Sequence, residues 1–253
     1  MDKPKQTSWQ NVAPWYEKLV GEDGHYYHQH VVLPGVLRLL DLQPEDSLAD
    51  IGCGQGVLSR AIPKISKYIG LDIAPVLISI ARRETRNAAY TFRVSDVTKP
   101  LPITDTTFSH AAIVLALQNM SRPDIAIINT AKYVRPGGKI VIVLNHPAFR
   151  IPRQSGWGVE PNTKQQYRWE NRYISPIKIP ITMNPGQQES KVTWSFHFAL
   201  QDYVRMLAEA GFVITNLEEW VSDKTSEGKA ARMENRARKE FPLFLVLVGE
   251  RRA

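Results

Sequence analysis

Short apolar runs alternate with helix-patterned segments through the middle of the chain. The apolar runs cover residues 47–51, 68–72, 90–96, 110–115 and 139–144. Segments with helical spacing lie between them, at residues 57–62, 75–87 and 123–134. Near-continuous apolar strands that alternate with helices are typical of a parallel sheet covered on both faces. The pattern therefore predicts an α/β protein with a doubly wound, mostly parallel sheet.

The two flanks of this core have different patterns. Residues 1–43 are rich in aromatic residues and histidine and end in a helical pattern at 31–40, which predicts a helical cap. Residues 147–192 hold six prolines and three glycines and break the alternation, which predicts an inserted lid. Strand patterns follow at 193–198, 212–220 and 241–249, and helical patterns at 200–210 and within 224–239. We expect residues 193–253 to complete the sheet of a single domain whose core is residues 44–146.

Composition narrows the class of protein. With 253 residues and 43% hydrophobic content, the chain can bury one sizeable core. Its one cysteine excludes a disulfide framework and a zinc site built on several cysteines. The polar N-terminus is not a secretory signal, and no apolar run approaches the roughly 20 residues that span a bilayer. We therefore expect a cytoplasmic protein without a membrane partner, and the net charge of +7 permits a nucleic-acid partner.

A glycine-rich turn follows the first apolar run, in the sequence Leu48-Ala49-Asp50-Ile51-Gly52-Cys53-Gly54-Gln55-Gly56. Glycines in such a turn let the backbone bend sharply and approach a ligand closely. A dinucleotide site would need glycine or alanine at Val57 or Ser59, so the dinucleotide pattern fits poorly. A phosphate-binding P-loop is also disfavoured, because the Lys-Ser/Thr pair is missing.

The spacing acidic-x-Gly-x-Gly-x-Gly resembles motif I of the class I S-adenosylmethionine-dependent methyltransferases. The resemblance continues in order over about residues 44–146, through Gly70-Leu71-Asp72-Ile73, Val94-Ser95-Asp96-Val97, Leu115-Ala116-Leu117-Gln118-Asn119 and Arg135-Pro136-Gly137-Gly138. It implies a Rossmann-like fold of seven strands with an antiparallel closing strand. It also implies methyl transfer, with S-adenosyl-L-methionine as the cofactor and S-adenosyl-L-homocysteine as the product.

The resemblance implies a role for each matching residue. Asp50 would lie near the methionine amine, Asp72 would bind both ribose hydroxyls, and Asp96 would lie beside the adenine amino group. The glycine turn supplies four further cofactor residues, of which the cysteine is expected to be a packed side chain: Gly52, Cys53, Gly54 and Gly56. The remaining positions would cover the adenine ring or line the methionyl arm: Ile73 and Val97, Leu115 and Gln118.

Candidate catalytic and substrate residues lie around the end of the core. Methyl transfer needs a general base only when the acceptor must lose a proton early, and His146 and His197 are the candidates. A structural histidine that fixes a loop is the alternative for each. No metal site is predicted, because only two of the histidines in residues 25–30 share a helical face. We expect cap and lid residues to contact the acceptor: Tyr16, Tyr26, Tyr27, His28, Asn145, Arg150 and Trp157.

Three functions fit these observations. The first is methyl transfer to a small organic acceptor enclosed by the cap and the lid. The lid's seven basic and three acidic residues suit an anionic or aromatic acceptor. The second is an RNA or protein methyltransferase, which the basic pI favours, and the third is a non-catalytic cofactor-binding partner subunit. The oligomeric state and the methylated atom stay open at this point.

Overall fold

The computed structural model describes residues 24–104, 107–182 and 192–253. Its strands are β1 (Ser47–Ile51), β2 (Lys67–Asp72), β3 (Tyr90–Val94), β4 (Phe108–Val114), β5 (Val134–Asn145), β6 (Ser155–Val159), β7 (Gln166–Glu170), β8 (Ile177–Thr182), β9 (Val192–His197), β10 (Phe212–Trp220) and β11 (Phe244–Arg251). Its α-helices are Leu33–Leu40, Val57–Ala61, Pro75–Glu84, Pro123–Ala131, Leu200–Glu209 and Ala231–Glu240. A π-helical turn lies at His28–Val32 and a 3-10 turn at Leu117–Asn119.

Seven of the strands form one sheet in the order β10-β11-β5-β4-β1-β2-β3. The strands β3, β2, β1, β4 and β5 pair in parallel. Strand β11 runs antiparallel between β5 and β10. The prediction of a doubly wound, mostly parallel sheet with an antiparallel closing strand is therefore confirmed.

Helices cover both faces of this sheet, because successive residues of a strand point to opposite sides. On β5, Val141 and Val143 pack in a buried cluster with residues of the helices Leu33–Leu40 and Pro75–Glu84. Ile142, between them, packs in a second cluster with residues of the helices Pro123–Ala131 and Leu200–Glu209. The two layers hold the carboxyl ends of the parallel strands firmly at one edge of the sheet.

The structure differs from the sequence predictions in two regions. The segment Arg135-Pro136-Gly137-Gly138 precedes the apolar run at 139–144 in the sequence, but it lies inside β5, where the pairing with β4 is irregular. Residues 147–192, for which no strands were predicted, contain the β6–β7 hairpin and strand β8, which pairs with β9. In the first hairpin Gly156 and Gly158 lie opposite Trp169 and Tyr167, whose rings occupy the space above the glycines. Such cross-strand pairs stabilise a hairpin without the alternating pattern of a half-buried strand.

The helix Leu33–Leu40 contacts the end of β10 through a glycine. A methyl group at Gly35 would lie 2.3 Å from ring atoms of Trp220. We expect Gly35→Ala to lower the free energy of unfolding by about 1 kcal/mol, because overpacking outweighs the gain in helix propensity. Urea unfolding measures this change. The same substitution should cost less in a Trp220→Leu background, and an equal cost in both backgrounds would contradict the close contact.

Candidate active site

The predicted cofactor residues meet at one edge of the sheet. Because β1 to β5 are parallel, their carboxyl ends lie side by side. The glycine turn follows β1, Asp72 ends β2, Asp96 follows β3, Leu115 follows β4 and Asn145 ends β5. Strands in a sheet are about 4.8 Å apart, so the ends of β1 and β5 are separated by about 10 Å, with β4 between them.

The glycine turn is built on the neighbouring strand. The amides of Gly52 and Cys53 both donate to the carbonyl oxygen of Leu71, at 2.7 and 3.0 Å. Gly54 has a φ of +54°, which favours glycine, and a Cβ there would meet no atom within 4 Å. At Gly52, by contrast, a Cβ would lie 2.5 Å from the Cβ of Ala116. Gly52 is therefore required for packing, whereas Gly54 borders open space that a ligand can enter.

Asp72 is held by two backbone amides. Its Oδ2 accepts from the Gly54 amide at 3.0 Å, and its Oδ1 accepts from the Ala74 amide at 2.8 Å. Burial raises the pKa of Asp72 above its ordinary value. A carboxylate offers about four lone-pair sites, so each oxygen can still accept a further donor. The side chain is thus fixed in place and retains capacity for two ligand hydroxyls.

Asp96 forms a local turn beyond β3. Its Oδ1 accepts from the Thr98 amide at 3.0 Å and from the Thr98 hydroxyl at 2.6 Å. Its Oδ2 lies 3.8 Å from Nζ of Lys99. Val97 is buried, and Ile73 is half-buried. The turn fixes the carboxylate of Asp96 beside an apolar surface.

The segment after β4 presents an unpaired acceptor. Leu115 has a left-handed backbone, with a φ of +52°, and its carbonyl oxygen accepts from Nε2 of Gln118 at 2.9 Å. The other side-chain atom, Oε1 of Gln118, is buried and has no hydrogen-bond partner among the described residues. A buried polar atom without a partner is costly, so this oxygen indicates a place for a ligand donor.

Asp50 lies beneath the glycine turn and is only 2% exposed. Its Oδ2 accepts from the hydroxyl of Tyr68 at 2.6 Å. The pKa of Asp50 is raised to about 7, chiefly by burial; the Tyr68 hydrogen bond lowers it and the negative charge of Asp72 raises it. Sequence reasoning did not identify Tyr68, because nothing in the apolar run of β2 indicates that its hydroxyl reaches β1.

A cavity of about 430 Å³ opens at the end of β5. Four of the predicted substrate residues line it, namely Tyr27, Asn145, Arg150 and Trp157. Its volume lies in the range of small-molecule sites. Other residues that line the cavity come from distant parts of the chain and were not predicted as substrate residues: Phe149, Arg168, Phe241 and Leu243.

Residues 24–28, which include cap residues predicted to contact the acceptor, extend from the helix Val57–Ala61 to this cavity. The Cβ position of Gly24 lies 3.3 Å from Val57, the first residue of that helix, and 2.6 Å from the Cβ of His28. His28 packs against His25, with ring centroids 4.2 Å apart, and Tyr27 lines the cavity. Residues 24–28 therefore connect the cofactor edge with the cavity.

The remaining predicted substrate residues are placed differently. Tyr26 is exposed and donates to Oδ2 of Asp223 at 3.0 Å, outside the cavity lining. His28 is buried, its Nδ1 has no partner among the described residues, and burial lowers its pKa to about 4. Tyr16 lies outside the described residues. The contact of these three residues with an acceptor stays a prediction.

Proteins of known sequence and structure resemble this chain. A demethylmenaquinone methyltransferase of Tropheryma whipplei is 28% identical over 183 residues, which cover 71% of each chain. An uncharacterised 37.1 kDa protein of a Streptomyces fradiae transposon is 31% identical over 131 residues. That match covers 47% of this chain, and the chain spans only 38% of that relative.

A family model and a solved structure provide two further matches. Residues 49–142 match a family model described as a methyltransferase domain. The crystal structure of an S-adenosylmethionine-dependent methyltransferase from Mesorhizobium loti has a TM-score of 0.68 and 21% identity, over 91% of this chain and 100% of that one. Residues 49–142 belong to this methyltransferase domain family, and the fold is shared with an S-adenosylmethionine-dependent methyltransferase of class I. The resemblance seen in the sequence is confirmed, and S-adenosylmethionine is the cofactor.

The carboxyl edge of this methyltransferase fits that cofactor. Open space at Gly54 allows close approach, and Asp72 keeps acceptor capacity for two hydroxyls. The unpaired Oε1 of Gln118 suits an ammonium donor. The part that each of these residues plays toward the cofactor remains a prediction.

Both candidate histidines of the methyltransferase are engaged within the protein. Nδ1 of His146 accepts from the Ala148 amide at 3.2 Å, so its Nε2 carries the proton and donates to Glu219 at 2.7 Å. Nε2 of His197 lies 2.5 Å from the carbonyl oxygen of Tyr173. Burial lowers the pKa of both histidines. These contacts fix loops beside the site, and a catalytic role for either histidine stays a prediction.

The described residues contain neither a cluster of metal ligands nor a helix that could span a membrane. In ranges 24–104, 107–182 and 192–253, no group of three or more His, Cys, Asp or Glu residues could hold a metal ion. None of the helices in these ranges is long and apolar enough to cross a bilayer. Cys53 is buried in the protein. Burial raises the pKa of its thiol and so disfavours the reactive thiolate.

Proposed function

We propose that this methyltransferase transfers the methyl group of S-adenosylmethionine to a small organic acceptor bound in the cavity. The supporting observation is the position of the cavity at the end of β5, two strands from the glycine turn along the carboxyl edge. Ligands of open α/β sheets bind in the crevice at this edge. The acceptor and the cofactor would then lie side by side.

The chain's contribution to catalysis would be positioning and exclusion of water. The bound cofactor supplies an electrophilic methyl group on a sulfonium, which is displaced in line. Asp72 and the glycine turn would orient the cofactor, while Tyr27 and Trp157 would orient the acceptor and cover it. If the acceptor must lose a proton, His146 is the nearer candidate in the chain, because it directly follows the cavity residue Asn145.

The relatives support a small acceptor. The relative from Tropheryma whipplei is named for methylation of demethylmenaquinone, which is a small molecule. The cavity volume also suits a small organic compound better than a polymer chain. We infer that cap and lid residues enclose the acceptor, since Tyr27 from the cap and Trp157 from the lid segment line the same cavity.

Two alternatives are tested together with this proposal. A basic cluster on the helix Ala231–Glu240 favours an RNA acceptor, although Arg238 in that cluster already pairs with Glu234 at 3.7 Å. RNA binding through exposed arginines should weaken steeply as salt rises. A non-catalytic cofactor-binding subunit would bind the cofactor but transfer no methyl group.

The experiment uses S-adenosylmethionine labelled in its methyl group and an extract separated into small molecules, RNA and protein. We expect label in the small-molecule fraction, and none with a variant that cannot bind the cofactor. Label in RNA or protein would replace the proposal with the corresponding alternative. Cofactor binding without label in any fraction would favour the non-catalytic subunit.

A further inference from the structure

The cavity contains two arginines and no described acidic residue. Arg150 and Arg168 both line it, together with aromatic side chains. Neither guanidinium forms an ion pair with a carboxylate in residues 24–104, 107–182 or 192–253. Burial lowers the pKa of both arginines; Tyr27 opposes this at Arg150 and the charge of Glu170 opposes it at Arg168, while the charge of Arg168 lowers the pKa of Arg150 further. Two like charges in one cavity, without an acidic residue among its lining, favour a negatively charged occupant.

Each guanidinium is held in a fixed orientation. Arg168 lies opposite Trp157 in the β6–β7 hairpin, with its Cζ 4.8 Å from the centre of the Trp157 ring. It donates to the hydroxyl of Ser155 at 2.8 Å and to the carbonyl oxygen of Phe149, and its Nε is buried without a partner among the described residues. Such an arginine is pre-organised to bind an anion, because little side-chain freedom is lost on binding.

Arg150 is oriented from the other side. Its guanidinium donates to Oδ1 of Asn145 at 3.0 Å, and its Cζ lies 5.7 Å from the centre of the Phe244 ring. One hydrogen bond leaves most of its five donors available. Arg150 and Arg168 therefore present donors to the same cavity, from the segment that follows β5 and from the β6–β7 hairpin.

Aromatic rings form the rest of the wall. Phe241 contacts Trp157 edge-on, with ring centroids 5.3 Å apart, and Phe149 in the same way at 5.6 Å. Such a wall binds a planar aromatic ring through offset or edge-to-face contacts. The cavity thus combines a surface for a ring with two donors for an acid group.

We propose that the acceptor of this methyltransferase is an aromatic anion, whose acid group is bound by Arg150 and Arg168 and whose ring packs against Trp157 and Phe241. The inference rests on the proposed function, because it takes the cavity as the acceptor site. It specifies the chemical class of the acceptor and the residues that select it. A carboxylate is the acid group that matches the planar guanidinium fork most directly.

The test compares 2-naphthoate with its neutral amide, 2-naphthamide, by calorimetric titration of the protein saturated with S-adenosylhomocysteine. We expect saturable binding of the naphthoate and a clear preference over the amide. Arg150→Gln should weaken naphthoate binding about 10- to 100-fold and leave amide binding unchanged, because a charge-assisted hydrogen bond is lost. Titration with 2-naphthyl phosphate distinguishes a phosphate-selective from a carboxylate-selective site.

Two variants separate the charge from the fold. Arg153→Gln removes an exposed arginine of the same segment that does not line the cavity, and it should leave binding unchanged. Arg150→Lys keeps the charge but not the fork, and it should recover part of the affinity. Arg168→Gln is a weaker test, because that side chain also holds Phe149 and Ser155.

The outcomes are distinguishable. The inference would be overturned if neither anion bound at millimolar concentration, or if naphthoate and its amide bound equally. The proposed function would still stand in that case, provided that the protein bound S-adenosylhomocysteine. Loss of the naphthoate preference in Arg153→Gln would also overturn it. Failure of the wild-type protein to bind S-adenosylhomocysteine in the first step would instead contradict the proposed function.

Discussion

Gly54→Leu is expected to abolish cofactor binding and leave the fold intact. A side chain at this position meets no atom of the protein within 4 Å, so it enters the open space beside the glycine turn where the cofactor would lie. The backbone φ of +54° adds a strain of about 1–2 kcal/mol, which a domain of this size tolerates. We expect affinity for S-adenosylhomocysteine to fall on the order of 100-fold or more, measured by calorimetry.

Gly228→Leu is the matched control for this substitution. Gly228 has a φ of +83°, and a Cβ there also meets nothing within 4 Å, but it lies in the loop before the helix Ala231–Glu240. The two variants therefore carry similar backbone strain. Equal cofactor affinity in both variants would show that the space at Gly54 is not the cofactor site.

Tyr68→Phe is expected to destabilise the protein more at pH 8 than at pH 5. The hydroxyl of Tyr68 donates to the buried Asp50, whose pKa is raised to about 7. At pH 8 the substitution leaves a buried carboxylate without that donor, at a cost of about 2 kcal/mol, because keeping Asp50 protonated one pH unit above its pKa adds only about 1.4 kcal/mol. At pH 5 Asp50 is protonated, and the loss is about 1 kcal/mol. Urea unfolding of the cofactor-free protein at the two pH values measures both costs.

The buried carboxyl of Asp50 also makes the free energy of unfolding of the wild-type protein depend on pH. Because the pKa of Asp50 is higher in the folded than in the unfolded state, the folded state binds the proton more tightly. The contribution of Asp50 to the free energy of unfolding is therefore largest below its ordinary pKa of 3.8 and is lost as pH rises through 7. The loss is at most about 4 kcal/mol, and Asp50→Asn should remove this dependence.

Tyr90→Phe provides the control for the tyrosine substitution. The Tyr90 ring packs 5.0 Å from the Tyr68 ring, but its hydroxyl donates to the carbonyl oxygen of Pro63 at 3.2 Å. Its loss should cost the same at both pH values, because a carbonyl does not titrate. An equal cost of Tyr68→Phe at pH 5 and pH 8 would contradict the account of the Asp50 pair.

The cofactor edge could be predicted from the sequence because its signals are local. Strand β1 ends at Ile51, as predicted, and the glycine turn follows it directly. Asp72 and Asp96 come at or just after the ends of apolar runs, and parallel pairing places them at one edge. Near-continuous apolar strands with polar residues at their ends thus give both the sheet and the position of its site.

The cavity could be predicted only in part, because its residues are distant in sequence. Asn145, Arg150 and Trp157 were identified from their place at the end of the core and in the lid segment. Arg168 reaches the cavity only through the hairpin register, which places it opposite Trp157. Phe241 was predicted to begin a strand, but β11 begins at Phe244 and leaves this ring free to line the cavity. The local sequence pattern predicts neither the position of Arg168 nor that of Phe241 at the cavity.

The most direct test of the account is a calorimetric titration of S-adenosylhomocysteine into the wild-type protein and into Asp72→Ala. We expect micromolar binding by the wild type, because Asp72 is held by two amides with acceptor capacity to spare. In Asp72→Ala we expect binding weakened beyond detection, with unfolding still cooperative. Equal affinity in the two proteins, or no binding by the folded wild type, would contradict the assignment of this edge as the cofactor site.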